Sequence, residues 1–93
     1  VNEEVRQALV AAGLVETRDM IVPGFRLWWI PARPDTVYVE VRLHPDRFQY
    51  ESTIRWGNEL IGKCAEVLTE QGFKVVRQRR SAVDRLKVEK SQS

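Results

Sequence analysis

His44, Cys64, the aromatic residues and the Arg/Lys cluster near the C-terminus are the residues of this chain best suited to chemistry. His44 is the only histidine, and a metal site would need further ligands that no neighbouring Cys or His supplies. It reads as a polar residue at a strand end. Cys64 is the only cysteine, which excludes an internal disulfide and fits a reducing compartment. It falls among apolar residues in a helical stretch, as a buried thiol does, rather than beside a base that would make it a nucleophile. The chain has no Gly-rich phosphate loop and no Cys/His spacing for zinc. Its Asp and Glu residues are scattered and form no acid–base pair. The expectation is a protein without catalytic residues, metal or cofactor.

Binding is the better-supported chemistry. Residues 1–73 carry eight Lys/Arg and eleven Asp/Glu, a net of −3, whereas residues 74–93 carry seven Lys/Arg and two Asp/Glu, a net of +5. Arg77, Arg79, Arg80, Arg85 and Lys87 thus form a basic segment suited to an anionic partner, either nucleic acid or an acidic protein surface. The alternative is a solvated charged end. Arginine outnumbers lysine eleven to four, which favours bidentate contacts to carboxylate or phosphate.

The element that positions the aromatics is a hairpin, Phe25–Ile30 and Thr36–Leu43, joined by Pro31-Ala32-Arg33-Pro34-Asp35. One register sets Ile30 opposite Thr36, Trp28 opposite Tyr38 and Arg26 opposite Glu40. On the other face it sets Trp29 opposite Val37, Leu27 opposite Val39 and Phe25 opposite Val41. Each such pair contributes roughly 0.2–1 kcal/mol, and a slip of one residue turns every side chain to the wrong face. Phe25, Leu27, Trp29, Val37, Val39, Val41 and Leu43 make the core face. The other face carries Arg26, Trp28, Ile30, Thr36, Tyr38, Glu40 and Arg42, and is too apolar for simple solvent contact. Either the first helix covers it or a partner does. Aromatics beside arginine suit a protein interface, and equally a stacking platform for single-stranded nucleic acid.

The remaining elements flank this hairpin. Asn2 is placed to cap a helix over Glu3–Ala12 with an apolar stripe of Val5, Ala8, Leu9 and Ala12, ended by Gly13. A short strand around Met20–Val22 is one reading of the next stretch, with Glu16–Asp19 as loop. Ser52 is placed to cap a long helix, Thr53–Gln71, whose stripe of Ile54, Gly57, Ile61, Cys64 or Ala65, and Leu68 should lie across the hairpin. Gly57 suits close approach to the sheet beside Trp29, and Gly62, off the stripe, contact with a neighbouring subunit. Gly72 ends the helix, and Phe73–Gln78 alternates as a strand beside the hairpin. Ser81–Asp84 matches a capping box for a last helical turn, while Val83, Leu86 and Val88 equally fit an edge strand.

The fold class is therefore α+β. Residues 1–80 form a single domain of helix, hairpin, long helix and strand, with the long helix on one face of a three-stranded sheet. An edge strand near Leu86 would make it four-stranded. Residues 81–93 follow as a basic tail or arm. With 43% hydrophobic and 30% charged residues the chain is globular. No apolar run approaches the roughly 18–20 residues of a bilayer span, and no signal-peptide pattern opens the chain. The expected location is the cytoplasm or a virion assembled there.

This element order, size and Arg-rich composition resemble small structural proteins of tailed phages. The resemblance is to the head–tail joining and tail-completion subunits of long-tailed phages and covers about residues 3–78. It implies a non-enzymatic ring subunit, a homo-oligomer or ring within a hetero-assembly, whose loops and tail grip neighbours. Two functions follow as expectations. One is a structural subunit acting through protein–protein contacts, with Trp28, Ile30 and Tyr38 as anchors beside Arg26 and Arg42. The alternative is a small nucleic-acid-binding protein that sets its basic segment on phosphate.

Overall fold

The computed structural model describes residues 1–17, 24–42, 51–79 and 82–90. Their order is α1 (Asn2–Ala11), β1 (Gly24–Trp28), β2 (Thr36–Arg42), α2 (Glu51–Glu70), β3 (Lys74–Gln78) and β4 (Arg85–Glu89). The strands form one four-stranded antiparallel sheet in the order β1-β2-β4-β3. Both helices lie on one side of it, and the class is α+β.

The hairpin register is the one that cross-strand complementarity dictates. Phe25 pairs with Val41, Arg26 with Glu40, Leu27 with Val39 and Trp28 with Tyr38. The ladder stops at Trp28, so the expected pairs of Trp29 and Ile30 do not form. Two tight turns take over there: the Arg33 amide donates to Ile30 O at 2.8 Å and the Thr36 amide to Arg33 O at 3.2 Å. Each turn has proline second, Pro31 and Pro34, where a fixed φ favours it. Trp29 therefore leaves the core face and stands 41% exposed, which corrects its assignment to the core and as a neighbour of Gly57.

The helices end as their glycines require. Gly13 (φ 87°) and Gly72 (φ 92°) occupy the left-handed region. Around them Leu14 N bonds Leu9 O and Phe73 N bonds Leu68 O, in paired-bond caps that leave few orphan carbonyls. The starts differ from expectation. Asn2 is the first helical residue, with Val1 at the cap position and no side-chain cap bond, and Ser52 lies inside α2 rather than ahead of it.

The core joins Val5 and Leu9 of α1, Phe25, Leu27, Val37 and Val39 of the hairpin, Ile61, Cys64 and Leu68 of α2, and Leu86 and Val88 of β4. Gly57 is buried on the same stripe of α2. The main correction concerns β4. It is neither a helical turn nor an edge strand, and Arg85–Glu89 is not part of an appended arm. It sits between β2 and β3, pairing Val39 with Leu86 on one side and Val75 with Val88 on the other. β3 is consequently the edge strand and does not touch the hairpin ladder. The other outer strand, β1, is flanked by its own chain: Phe25 N donates to Val15 O and Thr17 N to Phe25 O, both at 2.9 Å. Arg6 of α1 reaches Glu16 at 2.7 Å and fastens that segment to the helix. The proposed strand at Met20–Val22, together with Leu43, His44 and Arg80, lies outside the described residues.

Candidate functional site

Alternation along the strands sends Phe25, Leu27, Val37, Val39, Leu86 and Val88 to the core, so the residues between them share the opposite face. That face carries Arg26 and Trp28 of β1, Thr36, Tyr38 and Glu40 of β2, Arg85, Lys87 and Glu89 of β4, and Lys74, Val76 and Gln78 of β3. Neither helix covers it. α1 packs against α2 on the far side, which settles the choice between α1 and a partner against α1.

Trp28 and Tyr38 are directly opposed, with ring centroids 4.9 Å apart and planes inclined at 46°. The guanidinium of Arg85 lies over the Tyr38 ring at 4.5 Å. Its Nε donates to Gln78 Oε1 at 2.9 Å, and its other end is 4.0 Å from Glu40. A planar, weakly hydrated cation suits such stacking better than an ammonium. Arg85 is thus held by a ring and a carboxylate from β2 and an amide from β3, the two strands that flank its own. Trp28, Gln78, Arg79 and Arg85 line a depression of about 740 Å³ on this face. At the hairpin end Trp29 and Ile30 add exposed apolar surface, held by the two proline turns.

Compared with protein-family models, with curated proteins and with solved structures, the chain matches none of them.

The geometry gathers some expected site residues and separates others. Trp28, Tyr38 and Arg26 share the open face, with Ile30 at its rim. Arg42 ends the ladder opposite Gly24, and its side chain lies outside the described residues. Arg85 and Lys87 belong to the aromatic face as strand residues, and Lys87 pairs with Glu89 at 3.6 Å. Arg77 points the other way. It bonds Asp84 at 2.8 Å and the carbonyl of Asn58 at 3.1 Å, passing over Gly62, where a side chain would meet its guanidinium at 3.5 Å. That is an ordinary van der Waals distance, so Arg77 tolerates a Cβ at Gly62. Arg79, at the end of β3, is exposed. Arg77, Arg79, Arg85 and Lys87, the described residues of the basic set, do not form one arm.

Asn58 was not singled out by sequence. Its amide nitrogen donates to Ala82 O at 3.1 Å and its oxygen accepts from the Asp84 amide at 2.9 Å, clamping the approach to β4. A lone Asn on a helix gives no sign of such a partner before the strand order is known.

Among the described residues no group of three or more His, Cys, Asp or Glu is placed to hold a metal. Cys64 is fully buried, and desolvation pushes its thiol from the ordinary 9.0 up to about 12, against a smaller backbone hydrogen-bond effect in the other direction. Between those values the unfolded thiol has lost its proton and the folded one has kept it. Stability from this group is thus complete below pH 9 and drains away as the pH climbs towards about 12. The difference in urea midpoint between wild type and Cys64→Ala should be constant below pH 9 and shift against the wild type above it. A constant difference across that range would contradict a buried, protonated thiol.

Proposed function

We propose that this chain is a non-enzymatic structural subunit of a larger assembly that works through protein–protein contacts, with the open sheet face as its contact surface. The observation that carries the reading is the Trp28–Tyr38–Arg85 cluster, which stands on that face with neither helix over it. Trp, Tyr and Arg are the residues that most often dominate binding energy, and pinning them in advance lowers the ordering cost of association. Over about residues 3–78 the order helix, hairpin, long helix, strand resembles that of head–tail joining and tail-completion proteins of long-tailed phages, and this resemblance is the support for a place in a phage virion; β4 extends that order by one strand.

Two cations of this face, Lys87 and Arg85, speak for protein over nucleic acid. Lys87 is paired with Glu89, Arg85 reaches Glu40 and Gln78, and Arg77 is occupied by Asp84 on the other side. Interspersed carboxylates weaken a surface meant for phosphate and suit one that meets mixed charges.

Trp28→Ala should lower affinity for the assembly about tenfold or more while leaving the fold intact. The check is native mass of the purified complex, with its components identified, for wild type and variant. An unchanged complex would refute the reading. Tight DNA or RNA binding with a steep salt dependence would replace it with the nucleic-acid one.

A further inference from the structure

Charge in this domain is sorted by layer. The two helices carry Glu3, Glu4, Glu51, Glu59, Glu66 and Glu70 against Arg6, Arg55 and Lys63, a net of −3. The open sheet face carries Arg26, Lys74, Arg85 and Lys87 against Glu40 and Glu89, and with exposed Arg79 its net is +3. The acidic and basic layers lie on opposite sides of one sheet. Each also presents a tryptophan to water. Trp28 is 37% exposed on the sheet, and Trp56 is 40% exposed on the outer stripe of α2, one turn from Glu59.

Resting on the reading of the sheet face as a contact surface, we propose that its partner there is a second copy of this chain. The basic aromatic face of one copy docks on the acidic outer face of α2 of the next, with Trp28 and Trp56 as the apolar centres of the two patches. Opposite potentials steer the encounter and fix its orientation. Sheet face against sheet face sets +3 against +3. The open edge of β3 carries Lys74, with exposed Arg77, and repels a copy of itself. Helix layer against sheet layer is the pairing the charges favour. The two patches differ, so every docked copy keeps one of each kind free. Such contacts run head to tail, closing into a ring or continuing as a filament.

Two surface variants test this by sedimentation, after circular dichroism has shown both to be folded. One alters the sheet (Trp28→Ala with Lys87→Ala) and the other the helix (Trp56→Ala with Glu59→Ala). At about 100 µM in low salt, enough to populate a contact of micromolar affinity, wild type should form species larger than a dimer that shrink as salt is added. Each variant alone should be monomeric. Mixed one to one they should give a heterodimer and nothing larger, because only one intact patch of each kind remains. A monomeric wild type would overturn the proposal and leave the sheet face open to a different protein. A helix variant that associates as wild type does would overturn the docking on α2 alone. A sheet variant that associates normally would overturn both this proposal and the reading of the sheet face.

Discussion

Leu86→Ala should cost about 2–5 kcal/mol of folding free energy, the range for emptying a fully buried aliphatic site. Domains of this size are held by roughly 5–15 kcal/mol in total, so the variant should be close to unfolding. Leu86 has no exposed surface, and its strand is hydrogen-bonded on both sides, opposite Val39 of β2 and Arg77 of β3. The cavity would open where three strands and α2 meet, leaving little freedom to collapse. Lys87→Ala is the control, one residue along on the open face, and should change stability by no more than about 0.5 kcal/mol. Urea unfolding of the two variants decides the matter. Were β4 an appended arm, both changes would be nearly silent.

Gly24→Ala should destabilise by about 1–3 kcal/mol, the cost of overpacking a site that cannot yield. A Cβ at Gly24 would sit 2.4 Å from the carbonyl oxygen of Val15 and 3.3 Å from its carbon. Those are backbone atoms, so no side-chain rotation relieves the clash. The same carbonyl accepts the amide of Phe25, and Thr17 returns a bond to Phe25 O. Moving it would strip the outer side of β1. Hydrogen exchange at Phe25 and Thr17 should therefore rise by more than the drop in global stability explains. Protection at those two amides equal to wild type would refute the close approach.

How much of this was legible beforehand depended on how local the determining contact was. The hairpin register was readable because Trp28–Tyr38 and Arg26–Glu40 are complementary within one short stretch. The stripe of α2 was readable because Gly57, Ile61, Cys64 and Leu68 recur at helical spacing. Trp29 misled because alternation continues past the point where Pro31 ends the ladder. Arg85 and Lys87 looked like part of a charged arm, yet Leu86 and Val88 between them mark the buried half of a strand. Ser81–Asp84 offered a competing helix start, and nothing in a linear pattern says that a late strand inserts between two earlier ones. The aromatic pair of the candidate site could thus be named from sequence. The stacking of Arg85 on Tyr38 could not, because it exists only once β4 lies beside β2.

That insertion also has a consequence during synthesis. The ribosome makes the strand in the middle of the sheet after both of the strands it separates. A nascent chain that ends before Arg85 has its hairpin and long helix, while β2 and β3 still lack the neighbour they share. Any pairing between those two would have to be undone before the late arrival could take its place.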